Sequence, residues 1–285
     1  MNGYQNHSWS RPIPDTTISA EIRAAELWLD STKAQPHTIR ELAAYLGYSE
    51  SHIRRHFLRA FGMGPGRYRN ILRLEQAARL LLRSRRRIID IAIHCGFRSH
   101  PIFSRAFQWH YGISPSQFRR RQLRHAQNLR PPPDEMGEVV LGRHPETMLW
   151  AIRHYGPPEP ASLSCLDRRH HGDRGFERHD TILVLADDPA ITPKARQRID
   201  LGLPVSASRP WPPPPCYRRL TLPETLAASI AFDDSSRLTQ LHDYLLDRWL
   251  PSQPLSYLGE PVRVIRRVSG SPRYTMVLPL TTQPC

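Results

Sequence analysis

The sequence predicts a chain in two parts, an all-α N-terminal domain of seven helices and an α+β C-terminal domain built from a duplicated strand-strand-helix-strand-strand (ββαββ) module. Three observations predict it. Apolar residues recur at helical spacing up to about residue 124 and at strand spacing after residue 138. Between them lies NLRPPPDEMGE (128–138), whose three consecutive prolines end a helix and favour a stiff, extended spacer. The charge divides at the same place: 22 Lys+Arg stand against 8 Asp+Glu up to Arg130, and 18 against 18 thereafter, so the whole excess of +14 belongs to the first part. The expected boundaries are a tail over 1–15, the helical domain over 16–126, a linker over 127–137 and the α+β domain over 138–283.

The helices follow in order. ISAEIRAAELWLDS (18–31) places Ile18, Ile22, Ala25, Leu27 and Leu29 on one stripe. TIRELAAYLG (38–47) opens with a capping box, Thr38 with Glu41 three residues on, and stops at Gly47. SESHIRRHFLRAFG (49–62) has Ser49 as N-cap and Ile53, Phe57 and Phe61 inward. The longer GRYRNILRLEQAARLLLRS (66–84) buries Tyr68, Ile71, Leu72, Leu74, Ala78 and Leu81. IIDIAIHCG (88–96), SHPIFSRAFQWHYG (99–112) and SPSQFRRRQLR (114–124) complete the seven, with Phe103, Phe107 and Trp109 expected in the core.

These helices contain a repeat. A shift of 49 aligns Ile39 with Ile88, Ala43 with Ala92 and Gly47 with Gly96; after one extra residue, a shift of 50 aligns Ser49 with Ser99, Ile53 with Phe103, Phe57 with Phe107, Gly62 with Gly112 and Tyr68 with Phe118. Each copy is a short helix, a Gly-aromatic turn and a Ser-capped second helix: a helix-turn-helix, whose second helix can enter a DNA major groove. The connecting helix of about 18 residues spans roughly 27 Å at ~1.5 Å per residue, close to the ~34 Å of one DNA turn. A basic domain of this kind is expected to meet a polyanion.

The segment IIDIAIHCGFRSHPIFSRAFQWHYGISPSQFRR, with its Gly-Phe, Phe-Ser-Arg-x-Phe and Gly-x-x-Pro-x-x-Phe-Arg pattern, resembles the DNA-binding domain of the AraC/XylS family of transcription regulators, and the likeness extends over about residues 20–124. It implies a seven-helix domain with two helix-turn-helix motifs. It implies DNA-reading roles for Ser51, Arg54 and Arg55 in the first motif and for His100, Pro101, Ser104 and Arg105 in the second. Ser49 and Ser99 are read as caps that also meet phosphate, and Arg119 as a phosphate contact.

In the C-terminal part, strands are read at 148–156, 180–187, 195–205, 225–234, 261–268 and 273–280, and SSRLTQLHDYLLDRWLP (235–251) is an amphipathic helix with Leu238, Leu241, Leu245 and Trp249 on one side. The first copy's helix is placed near 158–170. LWAIRHYGPP (149–158), ILVLADDPAITPKARQRIDLGLPV (182–205) and the closing RYTMVLPL resemble the GyrI-like effector-binding domain. The resemblance implies a small molecule bound between the repeats, with Trp150, Tyr155, Trp249, Tyr274 and Thr275 as candidate effector contacts. Thr275 stands where cation-binding relatives hold a glutamate, which weakens the case for a cationic ligand.

No apolar run is long enough to span a bilayer, the first fifteen residues lack the apolar core of a secretory signal, and Cys95, Cys165, Cys216 and Cys285 are scattered, so a reduced, cytoplasmic setting is expected. CLDRRHHGDRGFERHD (165–180) lacks paired ligand spacing, and no nucleophile elbow, P-loop or dinucleotide fingerprint occurs. The expectation is therefore a non-enzymatic transcription regulator without metal, cofactor or catalytic residue. Its partners would be promoter DNA, RNA polymerase and a small-molecule effector. The alternatives are a constitutive DNA binder and a small-molecule-binding or hydrolytic GyrI-like protein.

Overall fold

The computed structural model describes residues 18–127, 137–156, 180–205 and 217–281, in two units, Met1–Gln127 and Asn128–Cys285. The expected tail, most of the linker, the helix near 158–170 and residues 165–179 lie outside the described residues.

Among the described residues the first unit has seven helices: α1 Ala20–Ser31, α2 Ile39–Leu46, α3 Glu50–Phe61, α4 Pro65–Arg83, α5 Ile88–His94, α6 His100–Tyr111 and α7 Pro115–Gln127. Three of them, α2, α3 and α6, carry both a side-chain N-cap and a glycine stop. Thr38 and Glu41 form the reciprocal capping box at α2, and Gly47, Gly62 and Gly112 close α2, α3 and α6 with positive φ, which costs glycine nothing. The repeat is reproduced in three dimensions. Phe57 and Phe61 lie 4.5 Å apart at 36°, and Tyr68 meets Phe57 edge-on at 5.2 Å. Their counterparts at the shift of 50, Phe107 and Tyr111, lie 4.5 Å apart at 38°, and Phe118 meets Phe107 edge-on at 5.2 Å. Each triad fastens a second helix to the helix that follows it.

Two core assignments differ from expectation. The buried stripe of α1 is Ile22, Ala25, Glu26 and Leu29, with Leu27 only half-buried. Glu26 is fully buried because the Tyr68 hydroxyl donates to its Oε1 at 3.0 Å. Trp109 is 62 % exposed rather than in the core, with the Arg67 guanidinium over its ring at 5.6 Å.

The second unit is an antiparallel sheet: β1 Val139–His144, β2 Thr147–Tyr155, β3 Thr181–Leu185, β4 Arg198–Pro204, β5 Arg218–Leu222, β6 Thr225–Phe232, β7 Ser256–Tyr257, β8 Val262–Arg266 and β9 Tyr274–Thr281. The strand order is β1-β6-β9-β8-β3-β4-β2-β5, with β7 paired to β9. Beyond the six strands read from the sequence there are thus β1, β5 and the two-residue β7, while residues 194–196 form a 3-10 turn ahead of β4. The helix over 235–251 is α8, Leu238–Tyr244, entered by a 3-10 turn and continued by a π turn over Leu245–Trp249. The π turn adds a residue to the helical repeat, so Leu245, Leu246 and Leu250 all face inward.

Strand alternation gives the sheet two different faces. One packs α8 through Leu238, Leu241, Leu245 and Leu250 against Ile152, Leu201, Ile230, Val264, Met276 and Leu278. The other mixes the small cluster Leu149, Ala151, Ile182, Val184 and Leu222 with buried charge. There the Arg153 fork donates to both Asp200 oxygens at 3.0 and 2.8 Å, Arg218 adds a third bond at 2.8 Å, and Arg198 grips Asp187 at 2.8 and 2.6 Å.

Candidate nucleic-acid interface

The two helix pairs α2–α3 and α5–α6 are built by the same bonds. Tyr48 N–H donates to the Ala43 carbonyl at 2.9 Å, and Phe97 N–H to the Ala92 carbonyl at 3.0 Å, across turns in which Gly47 and Gly96 hold φ of 73° and 79°. The next residue but one or two is a serine cap. Ser49 Oγ accepts from His52 N–H at 3.2 Å and Ser99 Oγ from Ile102 N–H at 3.5 Å, so both side chains satisfy their helix ends.

Of the residues expected to read DNA, Ser51, Arg54 and Arg55 on α3 and His100, Pro101 and Arg105 on α6 are exposed, and Ser104 is half-buried. They occupy the first two turns of their helices, opposite the buried Ile53 and Phe57 or Phe103 and Phe107. Two have local partners: Arg54 pairs with Glu50 at 3.1 Å, and Ser104 Oγ lies 3.4 Å from His100 Nε2. Both are exposed contacts that a stronger partner can displace, since such pairs are worth ~0.3–0.5 kcal/mol.

Arg119 is placed otherwise. Its half-buried guanidinium donates to the Leu81 carbonyl at 3.3 Å and the Arg86 carbonyl at 2.7 Å, which ties α7 to the end of α4 instead of projecting toward phosphate. Arg69 and Arg73 of α4 are spent in the same way, on the carbonyls of His37, Lys33 and Gln35. Burial pulls all three guanidinium groups below their ordinary pKa. Part of the basic charge counted in the sequence is therefore internal.

The five candidate effector contacts are all half-buried but do not share one face. Trp150 and Tyr274 alternate onto the α8 face, where Trp249 also packs, whereas Tyr155 and Thr275 belong to the other. On Thr275's face, one position along, stands Arg263, which is 5 % exposed; its one hydrogen bond among the described residues goes to the Pro223 carbonyl at 3.4 Å. Burial lowers its pKa, against the pull of Glu260. On the same face His144 bonds Ser229 Oγ at 2.8 Å, and burial and then Arg263 hold its imidazole toward the neutral form.

The sequence reading passed over one further grouping, Glu21 of α1 with His52 and His56 of α3. Its signal was the His-x-x-x-His spacing; the distant glutamate had none.

Residues 42–121 match the model of a helix-turn-helix domain family. The chain is 34 % identical over 123 residues to the right origin-binding protein of Escherichia coli K12, a match covering 43 % of this chain and 42 % of that protein, and equally to the transcriptional regulator Rob of Salmonella typhimurium. It is 29 % identical over 102 residues to the HTH-type transcriptional regulator ArgR of Pseudomonas aeruginosa, covering 36 % of this chain and 31 % of that one. Among solved structures, an AraC-type regulator from Chromobacterium violaceum is 29 % identical over 36 % of this chain and 91 % of its own, with a TM-score of 0.35. The matched region thus spans less than half the length of these curated relatives. The first unit of this chain thus carries a match to a helix-turn-helix domain over residues 42–121.

Proposed function

We propose that the chain is a sequence-specific transcription regulator that reads promoter DNA with α3 and α6 and contacts RNA polymerase. The observation that carries this reading is the doubled motif, two capped helices with matching aromatic anchors, each presenting short polar and arginine side chains outward. Arg55 and Arg105 are the base readers, because an arginine can donate two bonds to guanine, worth ~1–3 kcal/mol of discrimination. Ser51, Arg54, His100, Pro101 and Ser104 flank them, and Ser49 and Ser99 bring their helix N-termini to phosphate. The test is selection of genomic fragments by the full-length chain. A shared motif is expected among the bound fragments, lost in part with Arg55→Ala or Arg105→Ala, and binding should fall steeply with salt. Fragments no different from random DNA would overturn the reading.

The domain limits that go with it are a tail over 1–15, the DNA-binding domain over 16–126, a linker over 127–137 and an effector domain over 138–283. Duplication of a ββαββ module in the latter is supported by the strand order. Exchanging β1, β2, β3 and β4 for β5, β6, β8 and β9 returns the same sheet read backwards. We assign it no catalysis but the binding of a small molecule whose affinity differs between DNA-competent and incompetent states. The charged face supports an anionic ligand over a cationic one, because Thr275 supplies no carboxylate and Arg263 is a buried cation with no acid bonded to it among the described residues. A thermal-shift panel of organic anions and cations on the full chain is expected to stabilise with anions, and the response should vanish in Arg263→Met. No response to either class favours a constitutive DNA binder.

A further inference from the structure

Glu21, in the first turn of α1, faces His52 and His56 of α3, and one ligand atom from each lies within 4.8 Å of the other two. The histidines are four residues apart and so sit one above the other on the helix. Their rings stack at 4.1 Å and 16°, and Tyr48 stacks on His52 at 4.6 Å. His52 Nε2 is buried and makes no hydrogen bond among the described residues. Two basic groups face each other here with one carboxylate.

We propose that Glu21, His52 and His56 form a binding site for a divalent transition metal of the zinc class, which clamps α1 to the first reading helix. Two imidazole nitrogens and one carboxylate oxygen are the donor set of an open zinc site, with water in the fourth position. Calcium and magnesium want all-oxygen shells and fit poorly. Ligands in a tetrahedral shell with ~2.1 Å bonds lie roughly 3.4 Å apart, so side-chain rotation of about an ångström closes the site.

Arg55 and Arg59 on the same helix oppose a cation and set the affinity below that of a site without them. The second motif has Ile102 and Ala106 at the corresponding places, so the site occurs once among the described helices. His52 follows Ser51 and His56 follows Arg55, so bound metal would fix the stretch of α3 that faces DNA.

Equilibrium dialysis of the full-length chain against Zn²⁺, followed by metal analysis, tests this. The wild type is expected to retain one equivalent more than the His52→Gln/His56→Gln double variant, and Glu21→Gln should weaken that equivalent. Equal retention by wild type and a folded double variant overturns the proposal. Should the variant not fold, diethyl pyrocarbonate mapping of the wild type decides. His52 and His56 are expected to become protected together when Zn²⁺ is added, and unchanged modification of both overturns the site.

Discussion

Tyr68 and Phe118 take the same place in two copies of one aromatic triad and differ by a single hydroxyl. That hydroxyl reaches Glu26, 42 residues away and fully buried. Removing that hydroxyl takes one donor from a buried carboxylate, so Tyr68→Phe is expected to lose ~1–3 kcal/mol in urea unfolding. The same pair explains why the apolar stripe of α1 was misread. Periodicity favoured Leu27 over a glutamate, because the partner that makes Glu26 tolerable is remote in sequence. Trp109 was misread for a related reason. Hydrophobicity placed it inside, but its ring is covered from outside by Arg67.

At the level of elements, the sequence carried most of the first unit, because helix ends are set by neighbours one to four residues apart. Thr38 with Glu41, Ser49, Ser99 and the glycine stops are all short-range signals. In the second unit the π turn after α8 depends on which leucines the sheet receives, and β5 depends on pairing with β2, so neither was legible locally. The two turns make a graded prediction. Gly47 and Gly96 share a left-handed backbone, yet a Cβ on Gly47 meets nothing within 4 Å, whereas one on Gly96 would lie 2.4 Å from the Ala34 carbonyl oxygen. Gly47→Ala should therefore cost only the ~1–2 kcal/mol of its backbone conformation. Gly96→Ala should cost more in the same urea titration, because the atom in its way is backbone.

For the molecule as a whole, the charge of the two parts behaves differently from its count. In the first, Arg69, Arg73 and Arg119 are structural; in the second, charges cancel on paper, and Arg153, Arg198 and Arg218 pair with buried aspartates on one face of the sheet. His144 stands half-buried on that face, and its pKa lies below the unfolded value. The unfolded chain then takes up a proton first as pH falls below about 6.5, so stability present above that pH is lost as it drops. Urea midpoints measured from pH 7.5 to 5 are expected to fall less steeply for His144→Asn than for wild type. The candidate effector face was only partly legible, since β2 and β9 alternate their side chains and the aromatic residues chosen from the sequence fell on both sides.

The connection between α1 and α2 sets a limit on how this domain can vary. Its carbonyls at Lys33, Gln35 and His37 are held by two arginines of α4, and Ala34 rests against the turn of the other motif. One segment of five residues is thus gauged from both sides. Inserting a single residue there would displace every one of these contacts together, whereas most surface loops absorb insertions at small cost. Homologues should therefore keep the length of this connection even where its side chains change.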